Sequence, residues 1–220
     1  MVTANIDGQA FKIPERFTLQ EWRQLQKWDF DNPDHWPLIL ESITGMPSTL
    51  FEQAEEESLI LFIGFVVAAM NRRQHVQLPE FDKLMFGQFV DLDCFLSLGV
   101  ETHCQAILDV LNSDVQWASE ALNIIEQYIM WRTTIYRKYQ QLFGLNDKDF
   151  SNDTESDEDY IVDPSEVSRG WYAVIVELAD SDILKMDRVT EEPLEKVLTF
   201  LQIKKAKDAA EAQAARNITK

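Results

Sequence analysis

The stretch from Ser113 to Phe143, SDVQWASEALNIIEQYIMWRTTIYRKYQQLF, is the longest uninterrupted helical pattern in the chain and constrains its fold most. Ala118, Ala121, Leu122, Ile125, Tyr128, Ile129, Ile135, Tyr136 and Tyr139 recur mostly in steps of three and four, which gathers them on one broad apolar stripe. Ser113 followed by Gln116 has the form of a capping box, and Gly144 can take the left-handed conformation that ends a helix. At ~1.5 Å per residue the pattern predicts a helix about 45 Å long, enough to be the spine of a domain.

Around this spine the sequence predicts shorter elements. Val2 to Ile6 alternates apolar and polar residues, Asp7-Gly8 is a two-residue turn signal, and Ala10 to Ile13 resumes the extended pattern up to Pro14. The expected β-hairpin must lie on other elements, because a lone hairpin is marginal in water. Thr18 and Glu21 form a second capping box ahead of Leu19, Trp22, Leu25 and Trp28, and a further short helix with Trp36, Ile39, Leu40 and Ile43 stops at Gly45 and Pro47. Leu59 to Met70 is the most apolar run, with acids before it and Arg72-Arg73 after it, and is expected as an almost wholly buried central helix. It is too short for a membrane span, which needs roughly 20 residues. Phe89, Leu92, Phe95 and Leu96 predict one more helix, Ala106, Ile107, Val110 and Leu111 another, and Trp171, Ile175 and Leu178 a third after position 164. A terminal helix should open near Pro193, with Leu194, Val197, Leu198 and Leu201 on one face and an Ala-rich tail that has little to bury.

The fold class expected is therefore mainly α: a helical bundle around a long central helix, with a small N-terminal β-hairpin and a C-terminal helical appendage. Residues 147–163 hold eight acids and one lysine and read as a linker, which places boundaries between 1–146, 147–163 and 164–220. The formal net charge of −18 repels phosphate backbones and anionic surfaces, so nucleic acid and membrane are not expected partners. Two cysteines are too few for a disulfide framework and the opening residues lack the layout of a secretory signal, so a reducing cytosol is expected.

Candidate chemistry is sparse. His103, Cys104 and Cys94 offer three metal ligands without an evident fourth, whereas structural zinc takes four in close-spaced pairs, so no metal or other cofactor is expected. An EF-hand register from Asp147 places Asp149, Ser151, Asp153, Glu155 and Glu158 suitably, but Asn152 stands where glycine belongs and Thr154 where a branched apolar residue belongs. A weak cation site and a solvated linker both fit these residues. Trp22, Trp28 and Trp36 could form an aromatic platform for a ligand, or pack in a core with their indole N–H groups turned to acceptors. No nucleotide-binding, hydrolase or redox motif occurs, and an enzyme is not expected.

Three stretches resemble proteins of the tail-morphogenesis clusters of large contractile-tailed bacteriophages. They are Phe11-Lys-Ile-Pro-Glu-Arg-Phe-Thr-Leu-Gln-Glu-Trp22, Met85-Phe-Gly-Gln-Phe-Val-Asp-Leu-Asp93, and Gly170 to Lys185 with Pro193 to Leu201. The last is most similar to the C-terminal part of tail or baseplate-hub assembly chaperones. The resemblance implies a non-enzymatic protein of the host cytoplasm that holds a tail or baseplate structural protein until it is incorporated. A permanent place in the virion and an acidic decoy of a nucleic-acid-binding protein are the alternatives. The acidic run at 147–163 departs from the family pattern. For a chaperone, the Leu194, Val197, Leu198 and Leu201 stripe is the candidate partner-binding face, and it could equally dock within the chain.

Overall fold

The computed structural model describes residues 2–6, 8–72, 75–145 and 163–218. Asp7, Arg73, the calcium-type register from Asp147 to Glu158 and all but the last residue of the acidic run lie outside them. The elements in order are β1 (Val2–Ile6), β2 (Gln9–Ile13), α1 (Leu19–Leu25), α2 (Trp36–Thr44), α3 (Ser48–Glu52), α4 (Glu56–Met70), α5 (Phe86–Ser97), α6 (Val100–Val110), α7 (Ala118–Lys138), α8 (Gln140–Phe143), α9 (Pro164–Leu178), α10 (Ile183–Thr190) and α11 (Leu194–Ile218). The fold is mainly α, and β1 and β2 form a two-stranded antiparallel sheet.

Contacts divide the chain into two units, one of residues 1–77 with 114–125 and the other of 78–113 with 126–220. In the first, the hairpin pairs Ile6 with Gln9 and Val2 with Ile13, and Gly8 supplies the positive φ of the turn while its N–H donates to Asn5 Oδ1. The hairpin's inner face is buried, with the Phe11 ring edge-on to Phe51 and Phe62 at 5.4 and 5.2 Å. Thr18 and Glu21 make the expected reciprocal cap on α1, and Gly45 ends α2 in the left-handed region. Trp22 is buried, Trp28 packs against His35, and the Trp36 indole donates to the Phe30 carbonyl. Trp22 thus packs in the core, whereas Trp28 and Trp36 are only half-buried.

The central helix is shorter than its pattern. Ser113 caps nothing: Asn112 turns the chain at φ 50°, Trp117 pairs with Thr18, and the Ala118 N–H donates to the Phe17 carbonyl at 2.8 Å. Tertiary pairing claims the first turn that local propensity offers to the helix. At the other end Tyr139 leaves helical geometry, α8 adds one turn, and Gly144 closes it at φ 71°.

Burial of α4 is also corrected. Only Phe62, Ile63 and Val66 are buried, whereas Ile60, Leu61 and Phe65 are 51, 63 and 45 % exposed. A run that is apolar all round looks wholly internal in sequence, yet the first unit supplies neighbours for one side only.

In the second unit, α5 packs against α6, α9, α10 and α11. Residues 164–218 thus belong with α5 in one compact unit, and the division does not fall at 146/147. Phe86, Phe89, Ile135, Tyr139, Trp171, Ile175 and the stripe Leu194, Val197, Leu198 and Leu201 share one buried cluster. Around Pro193, which lacks an N–H, the flanking groups do the pairing: Phe86 N–H donates to the Glu192 carbonyl and Leu194 N–H to the Leu84 carbonyl. The α10 helix was not foreseen. Asp180 and Ser181 take positive φ, and the Asp182 side chain then accepts from the Leu184 N–H to start it.

Two helical glycines should respond oppositely to a methyl group. A Cβ on Gly87 would meet Thr190 Cβ at 2.8 Å, whereas one on Gly170 meets nothing within 4 Å. Gly87→Ala is expected to cost about 1–3 kcal/mol through overpacking between α5 and α10. Gly170→Ala should stabilise by about 0.5–1 kcal/mol through helix propensity. Denaturant titrations followed by circular dichroism measure both.

Candidate binding cleft

The second unit contains a cleft of about 640 Å³ whose floor is a buried carboxylate. Asp93 is 3 % exposed and is the buried charged side chain of the described residues. It lies on the core-facing side of α5, four residues after Phe89, so α5 cannot bury its apolar stripe without taking this carboxylate inside. Donors from two other helices meet it. Arg132 Nε of α7 reaches Oδ1 at 2.5 Å, and the Tyr136 hydroxyl and the Trp171 indole N–H of α9 each reach Oδ2 at 2.7 Å.

Arg132 and Tyr136 are one helical turn apart, so both face the same carboxylate. The guanidinium also donates to the Tyr136 hydroxyl at 3.3 Å and lies 4.5 Å from the centre of its ring. Burial works against the Arg132 charge, but Asp93 and Tyr136 outweigh it and hold the group above its ordinary value. The Tyr136 phenol is pushed up, first by burial and then by the Asp93 charge. Tyr128, a fully buried neighbour on α7, is pushed up by burial in the same way.

Above this floor the walls are apolar: Leu142 and Phe143 of α8, Val167, Trp171 and Val174 of α9, and Leu201 of α11. Gly170 leaves a gap in the α9 wall. Charges stand at the mouth. Lys204 pairs with Glu177 at 2.5 Å, and Lys205 donates to the carbonyls of Gln141 and Leu142 at 2.7 and 2.9 Å, where it caps the end of α8. An apolar pocket with a rigid polar floor and a charged rim is suited to holding an apolar side chain or a short peptide segment. The floor carboxylate is already committed to three donors.

Residues singled out from sequence fall elsewhere. Leu194, Val197, Leu198 and Leu201 are between 0 and 8 % exposed, so the proposed partner-binding stripe is docked on its own unit instead. The apolar area of α5 and α7 competes for it and is always present, whereas a partner is not. Only Leu201 borders the cleft. Cys104 is buried, His103 stacks on Phe95, and Cys94 accepts from the Ser168 hydroxyl; among the described residues no group of three or more His, Cys, Asp or Glu is placed to hold a metal ion. No helix among the described residues is long and apolar enough to cross a membrane. Asp93 and its donors were missed, although an acid within the Phe89, Leu92 and Leu96 stripe was the available signal.

No family model, curated protein or solved structure matches the chain.

Removing the floor carboxylate leaves a half-buried guanidinium and two other donors without an acceptor. Asp93→Ala is expected to cost about 3–5 kcal/mol. Adding Arg132→Met should cost less than the sum of the two single changes, since the orphaned charge is gone. Urea titrations of the four species test the coupling.

The raised phenols give a second expectation. A folded-state value above the unfolded value of about 10 means that the native state keeps protons the unfolded chain releases. The contribution of Tyr128 and Tyr136 is therefore complete below about pH 10 and is lost as pH rises beyond it, by up to about 1.4 kcal/mol per pH unit per phenol. Urea midpoints measured with rising pH should fall in that range, and Tyr128→Phe should flatten the fall.

Proposed function

We propose that this chain is a non-enzymatic binding protein that holds an apolar segment of another polypeptide in the cleft of its second unit, acting as an assembly chaperone for a tail or baseplate structural protein. The observation that carries the binding role is the cleft itself, about 640 Å³ with apolar walls over the Asp93 floor. A fixed floor lowers the ordering cost of binding, because Trp171, Tyr136 and Arg132 already hold their rotamers through Asp93. The tail-assembly part rests on the resemblance of the three sequence stretches, two of which contribute to this site through Asp93, Gly170 and Trp171. The net charge of −18 supports the same role, since it keeps a complex with an aggregation-prone client soluble. Such a protein works in the host cytoplasm, transiently on nascent tails or baseplates.

The test is affinity purification of the tagged full-length chain from cells producing it, washed at moderate salt and analysed by mass spectrometry beside finished particles. Gly170→Trp is the matched control: it adds an indole at a position that lines the cleft, and Gly170 has ordinary φ and open space at Cβ. One or two tail or baseplate proteins should co-purify with the parent chain and be lost with Gly170→Trp, at unchanged melting temperature, and the chain should be missing from finished particles. Equal capture by both forms would remove the cleft from the mechanism. Constant copy number in particles would make the chain a structural subunit, and capture abolished by salt alone would favour the acidic decoy.

A further inference from the structure

Arg132, at the floor of the cleft, has donors to spare. Of its five guanidinium N–H groups, Nε–H goes to Asp93 and one on Nη2 to the Tyr136 hydroxyl, with no further acceptor among the described residues. The side chain is 30 % exposed and lines the cleft, so the remaining N–H groups reach solvent through it. An occupant packed on the apolar walls strips that water away. If it were purely apolar, charged donors would be left buried without an acceptor, which binding cannot easily offset.

Two features select the acceptor. Asp93 already balances the Arg132 charge, and at the rim Glu166 and Asp208 stand beside Lys204, which is paired with Glu177, and Lys205, which is held by two carbonyls. A second carboxylate at the floor would add an uncompensated negative charge near Asp93, whereas a neutral carbonyl oxygen takes the same N–H groups without one. Room is the other feature. An α-helix ~10–12 Å across fills roughly 400–600 Å³ per turn, so a cleft of about 640 Å³ holds little more than one turn. Main-chain carbonyls inside a helix are also already paired, while those of an extended segment are free to accept.

We propose, building on the reading of this cleft as a client site, that it takes a short non-helical segment whose main-chain carbonyl accepts from the Arg132 guanidinium. Its apolar side chains pack against Phe143, Val167 and Val174. The guanidinium is held by Asp93 and lies 4.5 Å from the centre of the Tyr136 ring, so it is oriented before the segment arrives.

Hexanamide, hexylammonium and hexanoate share one alkyl chain and differ in head group, which makes them suitable probes. Their binding to the full chain at physiological salt is followed by the proton–nitrogen NMR resonances of Arg132 Nε–H and Trp171 Nε1–H. Hexanamide should shift both and bind about tenfold tighter than hexylammonium, which brings only donors. The net charge of −18 favours the opposite order, so general electrostatics cannot produce this result. Hexanoate should also bind about tenfold more weakly than hexanamide. An acetylated and amidated Leu-Val-Leu tripeptide, too short for a helix, should displace hexanamide. Combining Asp93→Ala with Arg132→Met should abolish the preference for the amide; if that variant does not fold, the probe comparison on the unaltered chain still decides.

Hexylammonium or hexanoate binding as tightly as hexanamide, hexanamide leaving both resonances unmoved, or a tripeptide that does not compete would each overturn the inference. Excess hexanamide should release the client captured by the tagged chain. A client that stays bound would keep the chaperone reading and overturn this one, whereas selective hexanamide binding with no client captured would remove that reading and leave the carbonyl preference standing.

Discussion

The second unit depends on one buried negative charge. Taking a carboxylate from water is unfavourable by several kcal/mol, and only well-placed donors offset it. Asp93 finds them 39, 43 and 78 residues later in the chain, at Arg132, Tyr136 and Trp171. Apolar packing alone tolerates small slips of one helix along another, but a carboxylate with three specific donors does not. The same contacts that set the register of α5, α7 and α9 also fix the rotamers at the floor of the cleft, so the stability of this unit and the shape of its pocket have one cause.

Legibility in the sequence followed the range of the interactions concerned. The Thr18–Glu21 cap, the hairpin closed at Gly8, and the helix ends at Gly45 and Gly144 all stand as their residues suggest, because each is completed within a few positions. Elements whose fate rests on distant partners were harder to read. Ser113 and Gln116 have the form of a cap, yet the neighbouring Trp117 is drawn into pairing with Thr18. The apolar run of α4 reveals that something must be covered but not which side the unit covers. The α10 helix escaped notice because Ile183 and Leu184 are both largely exposed, so no buried stripe announces it.

The site was half visible. Phe89, Leu92 and Trp171 were readable as inward residues, and Asp93 falls on the same side by helical spacing. That an acid there would be satisfied, and by which groups, depends on α7 and α9 arriving together, which no local pattern encodes. Conversely, the stripe from Leu194 to Leu201 reads as a partner-binding face or an internal dock, and it lies in the buried cluster of its own unit.

The first unit is not continuous in sequence. Its core takes Ala118, Ala121, Ile124 and Ile125 from the opening turns of α7, after the chain has left to build α5 and α6. On a ribosome, which delivers residues in order, the hairpin and α1–α4 must wait with an unfinished interior until the start of α7 emerges. The helix that completes them then continues directly into the second unit. Synthesis therefore cannot finish the first unit and move on; the two must mature in an interleaved order, and a nascent chain halted before residue 118 would expose apolar surface that only later residues can cover.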